Sequence, residues 1–170
     1  MQNVFHSEHG YAGVGAEWIE RLKAIALKSP LRRSRFCLHR SDDDPLHEMV
    51  IALAKDCTFR PHRHDAKSES YHMIHGRMIF IMFADDGTPS HAELLTPPGQ
   101  GGMVSFRMSD PIYHAVLPLD EVVVYQETTT GPFKAGEATV AVWAPTDPRE
   151  LRTFLEKAAV TCGVSPEIGT

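Results

Sequence analysis

This chain lacks any long apolar run. Its longest, MVIALA (49–54) and MIFIMFA (78–84), are far short of the roughly 20 residues a membrane-spanning helix needs. Cysteine is sparse: Cys37, Cys57 and Cys162 are far apart, odd in number and include no C-x-x-C. That pattern indicates neither a disulfide framework nor a thiolate zinc site, and a reducing cytoplasm is the simplest compartment. Positive charge is not in excess either. Lys and Arg total 17 against 22 Asp and Glu, a net charge of −5. Phosphate backbones and anionic membrane surfaces require a basic face, so neither nucleic acid nor membrane is an expected partner. The one basic cluster, Arg32-Arg33-Ser34-Arg35, reads as a solvated stretch. The start, MQNVFHSEHGYAG, has neither the basic nor the apolar region of a secretory signal. What the chain does have is ten histidines in 170 residues, and these require an explanation.

The apolar fraction of 42% supports a packed core, and no repeat or linker divides the chain, so one domain is expected. Residues 1–15 read as a loosely ordered start. In AEWIERLKAIALKSP, Trp18, Ile19, Leu22, Ile25 and Ala26 recur at helical spacing until Pro30. Short runs rich in Val, Ile, Phe and Met follow, separated by turn signals. They predict strands at 48–54, 58–64, 70–75, 77–84, 92–96, 103–107, 112–117, 122–128 and 139–142. So many short strands argue for an antiparallel sandwich or barrel. After Pro145, TDPRELRTFLEKAAV reads as a closing helix, with Thr146 or Asp147 as N-cap and Pro148 near its first position. Segments 1–30, 31–145 and 146–170 are thus a leading helix, a barrel, and a closing helix with its tail.

The histidines concentrate in RPHRHDAKSESYHMIHG (60–76). Strand side chains alternate, so His62 and His64 share a face and two imidazoles can converge on one ion. Glu69, opening the next strand, can add a carboxylate oxygen. Imidazole with carboxylate suits Fe, Mn, Ni, Co or Zn better than Ca or Mg. Two solvent-facing histidines and a surface carboxylate are the alternative reading.

The full spacing is H-x-H, four residues, Glu69, six residues, Gly76. It resembles the first motif of the cupin superfamily. GMVSFRMSDPIYHAVLP resembles the second, with Gly102, Pro111 and His114 in order. Departures at Asp56, Ile112-Tyr113 and Pro118 touch turn positions and leave all four ligand types in place. The resemblance implies a mainly β cupin, a double-stranded β-helix or jelly-roll barrel with flanking N- and C-terminal α-helices. It also implies one divalent transition metal per chain on His62, His64, Glu69 and His114. CLHRSDDDPLHEMVIAL, YHAVLPL, QETTTGPF and VWAPTDP further resemble the WbuC-type cupin metalloproteins, named from O-antigen (lipopolysaccharide) gene clusters.

Around such a site, period two puts Tyr71 and Met73 on the face of Glu69, and Val116 on that of His114. Tyr71 and Glu69 are candidate proton-transfer groups; core packing is the alternative for Tyr71. Lys67 is a candidate contact for an anionic substrate, or a surface lysine. Glu127 is a candidate acceptor orienting a ligand histidine, or a rim carboxylate. His72, at an odd offset from Glu69, is expected to face away. His39 and His47 have no assigned role, and His6 and His9 fall in expected loops. Three functions follow: a metal-dependent isomerase or epimerase of a sugar or nucleotide sugar, an iron-dependent dioxygenase, and a non-catalytic ligand-binding or sensing module. A homodimer is the expected assembly, because open sheet edges need cover.

Overall fold

A computed structural model describes residues 1–167; residues 168–170, the end of the expected tail, lie outside the described residues. The elements run β1 (Val4–His6), α1 (Ala16–Lys28), β2 (Arg33–Cys37), β3 (Leu46–Ala54), β4 (His62–Arg63), β5 (Glu69–His75) and β6 (Met78–Phe83). They continue with β7 (Pro89–Leu95), β8 (Ser105–Met108), β9 (Tyr113–Pro118), β10 (Val122–Thr130), β11 (Thr139–Val140) and α2 (Pro148–Thr161). One sheet has the order β1-β2-β3-β10-β5-β8 and the other β11-β4-β9-β6-β7. This is the mainly β, double-stranded β-helix architecture of a cupin, flanked by two helices.

The apolar runs follow from burial on both faces. Along β3, Met49, Ile51 and Leu53 point between the sheets, while Val50 and Ala52 pack outward under α1 with Leu22 and Ala26. Along β6, Met78 and Phe80 point inward, while Ile79 and Ile81 pack outward under Leu155 and Ala158 of α2. Strands covered on both sides lose the alternation of apolar and polar residues. The Asp147 side chain caps α2, accepting from the backbone N–H groups of Arg149 (2.9 Å) and Glu150 (3.0 Å). The closing Gly76 has φ +70°, and a Cβ there would lie 2.7 Å from the Val122 carbonyl oxygen, so the turn excludes any larger residue.

The sequence reading differs from the structure at the start of the chain. Residues 1–15 include β1, which pairs in parallel with β2, and His6 lies opposite Cys37. The basic cluster is solvated as expected, with Arg33 and Arg35 exposed, but it is also a strand. Its alternation forms β2, and Arg33, Arg35 and Cys37 oppose the inward Leu53, Ile51 and Met49. The strand expected at 58–64 is reduced to His62–Arg63. Pro61 has no N–H for a ladder and marks its start.

Candidate metal centre

The two sheets bring the four predicted ligands together at one end of the barrel interior. His62 and His114 face each other as cross-strand partners on β4 and β9. His64 follows β4 directly, and Glu69 opens β5 in the facing sheet. The Glu69 Oε2 lies 3.1 Å from His114 Nε2, and Oε1 lies 3.6 Å from His64 Nε2. Ring centroids are 4.6 Å apart for His62–His114, 5.3 Å for His62–His64 and 6.3 Å for His64–His114. With a metal–nitrogen bond of about 2.1 Å, imidazoles on one cation have centroids roughly 4.5 Å apart at right angles and about 6.4 Å apart when opposed. The observed separations fall within that span.

Backbone carbonyls set the tautomers. His114 Nδ1 lies 3.0 Å from Ile112 O and His62 Nδ1 lies 3.3 Å from Arg60 O. Donating there leaves each Nε2 with a bare lone pair, the form that binds metal. His114 Nε2 is buried and aligned with no hydrogen-bond partner, although a carboxylate oxygen stands beside it. Two acceptors facing each other in a buried site require a cation or a proton between them. The donor set therefore fits a divalent transition metal. Phe80 stacks on the His114 ring (5.4 Å, 10°) and holds it in place.

Electrostatics sort the ionisable groups. Burial, then the neighbouring His114, lowers the His62 pKa to about 4. Burial also lowers His64, with Glu69 opposing. Burial raises the Glu69 carboxyl, but His114, His64 and His62 together outweigh it, so Glu69 sits below the usual carboxylate range. Glu127 behaves oppositely: burial first, then the Glu69 charge, push it up to about 7. It is half-buried and lines the cavity beside the quartet. Tyr71 is buried, with a pKa well above its usual value through burial first and then Glu127; its hydroxyl donates to Glu69 Oε2 at 3.4 Å.

A cavity of about 330 Å³ opens from this centre toward β1 and β2. Tyr71 and Val116 line it as the strand alternation expects, whereas Met73 is buried in the core; Glu127, Arg33, Arg35 and Phe59 complete the lining. Lys67 is not among the lining residues. Its ammonium binds Glu137 (3.1 Å) and the Pro132 carbonyl (3.1 Å). His72 is exposed, facing away from the centre as expected.

Sequence reasoning missed the cavity arginines, whose signal was the R-S-R-F-C alternation of β2. It also missed a second cluster. His6, Cys37 and His39 have ligand atoms all within 4.8 Å of one another. The absence of C-x-x-C thus did not exclude a thiol–imidazole metal site, because pairing of β1 with β2 brings distant residues together.

A family model described as a domain of unknown function, DUF6016, matches residues 14–95, just under half of the chain. No curated protein matches. Among solved structures, a protein of Shewanella oneidensis is similar at TM-score 0.56 and 12% identity, over 84% of this chain and 97% of that one. The DMSP lyase DddQ of Ruegeria pomeroyi is similar at TM-score 0.47 and 17% identity, over 77% of this chain and 56% of that one. The cupin domain of Schizosaccharomyces pombe Cnp3 is similar at TM-score 0.45 and 11% identity, over 58% of this chain and 64% of that one. At these identities the likeness concerns the fold alone. No helix among the described residues is long and apolar enough to cross a membrane.

Proposed function

We propose that His62, His64, Glu69 and His114 hold one divalent transition metal (Fe, Mn, Ni, Co or Zn) and that the centre is an isomerase- or epimerase-like enzyme. Its substrate is a small, anionic, oxygenated molecule of the sugar-acid or nucleotide-sugar class. The resemblance to WbuC-type proteins supports a role in surface-polysaccharide synthesis, the sparse cysteines support a cytoplasmic setting, and the open sheet edges support a homodimer. The observation that carries this reading is the cavity beside the quartet, lined by Glu127, Arg33 and Arg35; without metal, burial and then the Glu69 charge raise the Glu127 carboxyl to about 7.

His62, His64, Glu69 and His114 would present the metal to a carbonyl or hydroxyl oxygen of the substrate, where it would supply Lewis-acid polarisation. The protein's own groups do the rest. Arg33 and Arg35 share one face of β2 at the cavity mouth and hold the anionic end. Glu127 is the cross-strand partner of Tyr71 on β5 and so lies diagonal to Glu69, whose own partner is Thr129. A carboxyl poised near neutrality takes a proton from carbon and returns it. Glu69 is committed to the quartet, and Tyr71, kept protonated by burial, orients Glu69 through its hydrogen bond. Phe59 and Val116 provide apolar walls.

The test is deuterium exchange followed by NMR, with metal-loaded protein and a panel of sugar acids and nucleotide sugars in D2O. Exchange at the carbon beside the carbonyl is expected, abolished by Glu127→Gln with binding retained. Arg35→Ala should weaken anionic ligands and spare neutral ones. Oxygen uptake with iron(II) would instead establish the dioxygenase reading. Binding without exchange or oxygen uptake would establish the sensing module.

A further inference from the structure

We propose that His6, Cys37 and His39 form a second metal site, for a borderline-soft cation such as Zn²⁺, that fastens β1 across the cavity mouth. The three side chains come from the edge strand β1, the end of β2 and the residue two beyond it, with their ligand atoms within 4.8 Å of one another. Thiolate with two imidazoles favours zinc over the hard cations.

The site is built before any ion arrives. His39 is buried and stacks face to face on His47 (4.0 Å, 13°). His47 is itself held through Nε2 by the Asp42 carbonyl at 3.2 Å. Glu48 engages His39 Nδ1 from both sides, with its carbonyl at 3.1 Å and its N–H donating at 3.2 Å, so Nε2 is the ring atom left for a metal, which binds in the tautomer whose Nδ1–H donates to that carbonyl. Cys37 is 1% exposed among apolar neighbours, and its thiol stays protonated until a cation takes the sulfur and releases that proton to solvent. His6 is exposed, so the ion enters from the sheet edge and the fourth position remains open to water. The other two cysteines, Cys57 and Cys162, belong to no such cluster among the described residues.

The consequence is mechanical. β1 is three residues long, and Val4 on it and Asn3 before it line the cavity. An ion shared by β1 and β2 turns that short strand into a fixed wall beside Arg33 and Arg35. This site is independent of the Glu69 quartet, which contains no sulfur, and a sulfur signal separates the two.

Metal-stripped full-length protein is titrated with Co²⁺ and followed by near-ultraviolet absorption for the thiolate-to-cobalt band. The band is expected in the wild type, displaced by Zn²⁺, lost in Cys37→Ser and kept in His114→Ala. His6→Ala changes an exposed side chain and should lower Co²⁺ affinity at this band by at least about tenfold. Hydrogen exchange at residues 4–6 should slow on adding Zn²⁺. No band in the wild type, a band surviving in Cys37→Ser, or unchanged affinity in His6→Ala each overturns the proposal, and the last does so even where Cys37→Ser fails to fold.

Discussion

His62 and Glu127 give the metal-free protein two opposing responses to pH. His62 has a folded pKa of about 4 against an ordinary 6.5. The unfolded chain therefore takes up a proton that the folded one refuses, and stability is lost as pH falls from 6.5 to 4, on the order of 3 kcal/mol at most. Glu127 has a folded pKa of about 7 against an ordinary 4.5, so it stabilises at low pH and that contribution is lost as pH rises from 4.5 to 7. Urea denaturation of the metal-free protein should show His62→Gln gaining on wild type below pH 6.5, and Glu127→Gln gaining above pH 4.5. Parallel pH profiles for wild type and both variants would contradict these environments. At this scale the sequence was most legible where residues lie close along the chain. H-x-H and Glu69 share one strand–turn–strand unit, so their spacing nearly dictates their meeting. His114 needed the family resemblance, because 45 residues and a change of partner strand separate it from Glu69. The altered acidity of Glu127 was invisible, since it arises from enclosure and from a carboxylate on a neighbouring strand.

The elements owe their positions to a few identifiable contacts. Removing the Asp147 cap by Asp147→Ala should destabilise the protein by about 1 kcal/mol. Leu155→Ala, which opens a fully buried site beneath α2, should cost about 2–5 kcal/mol. Gly76→Ala forces a Cβ against the Val122 carbonyl at positive φ and should cost more than about 1 kcal/mol. Chemical denaturation midpoints check all three, and equal midpoints for Leu155→Ala and Asp147→Ala would contradict the burial difference between them. Both helices and most strands were legible, because their apolar periodicity and punctuation agree with their burial. β2 was not. Its two arginines look like a solvated stretch until β3 pairs alongside and turns them to one face of the sheet. β1 was not legible either: a three-residue parallel strand carries no periodicity, and its existence depends on β2.

Across the whole molecule, the six-stranded sheet carries one interior row of chemistry. His6 opposes Cys37, Cys37 opposes Met49, Met49 opposes Glu127, and Glu127 opposes Tyr71. The His6–Cys37–His39 cluster therefore lies at one edge of this sheet and Glu69 toward the other, where it meets the histidines of the facing sheet, with Glu127 between them. The proposed homodimer predicts a solution mass of twice the 18.9 kDa chain by light scattering, and a monomer mass would contradict it. The central claim concerns the quartet, and elemental analysis in a Cys37→Ser background tests it most directly, because that background removes the sulfur site. About one transition metal per chain is expected in Cys37→Ser and almost none once His114→Ala is added. Equal metal content in the two proteins would take His114 out of the coordination sphere and contradict the account.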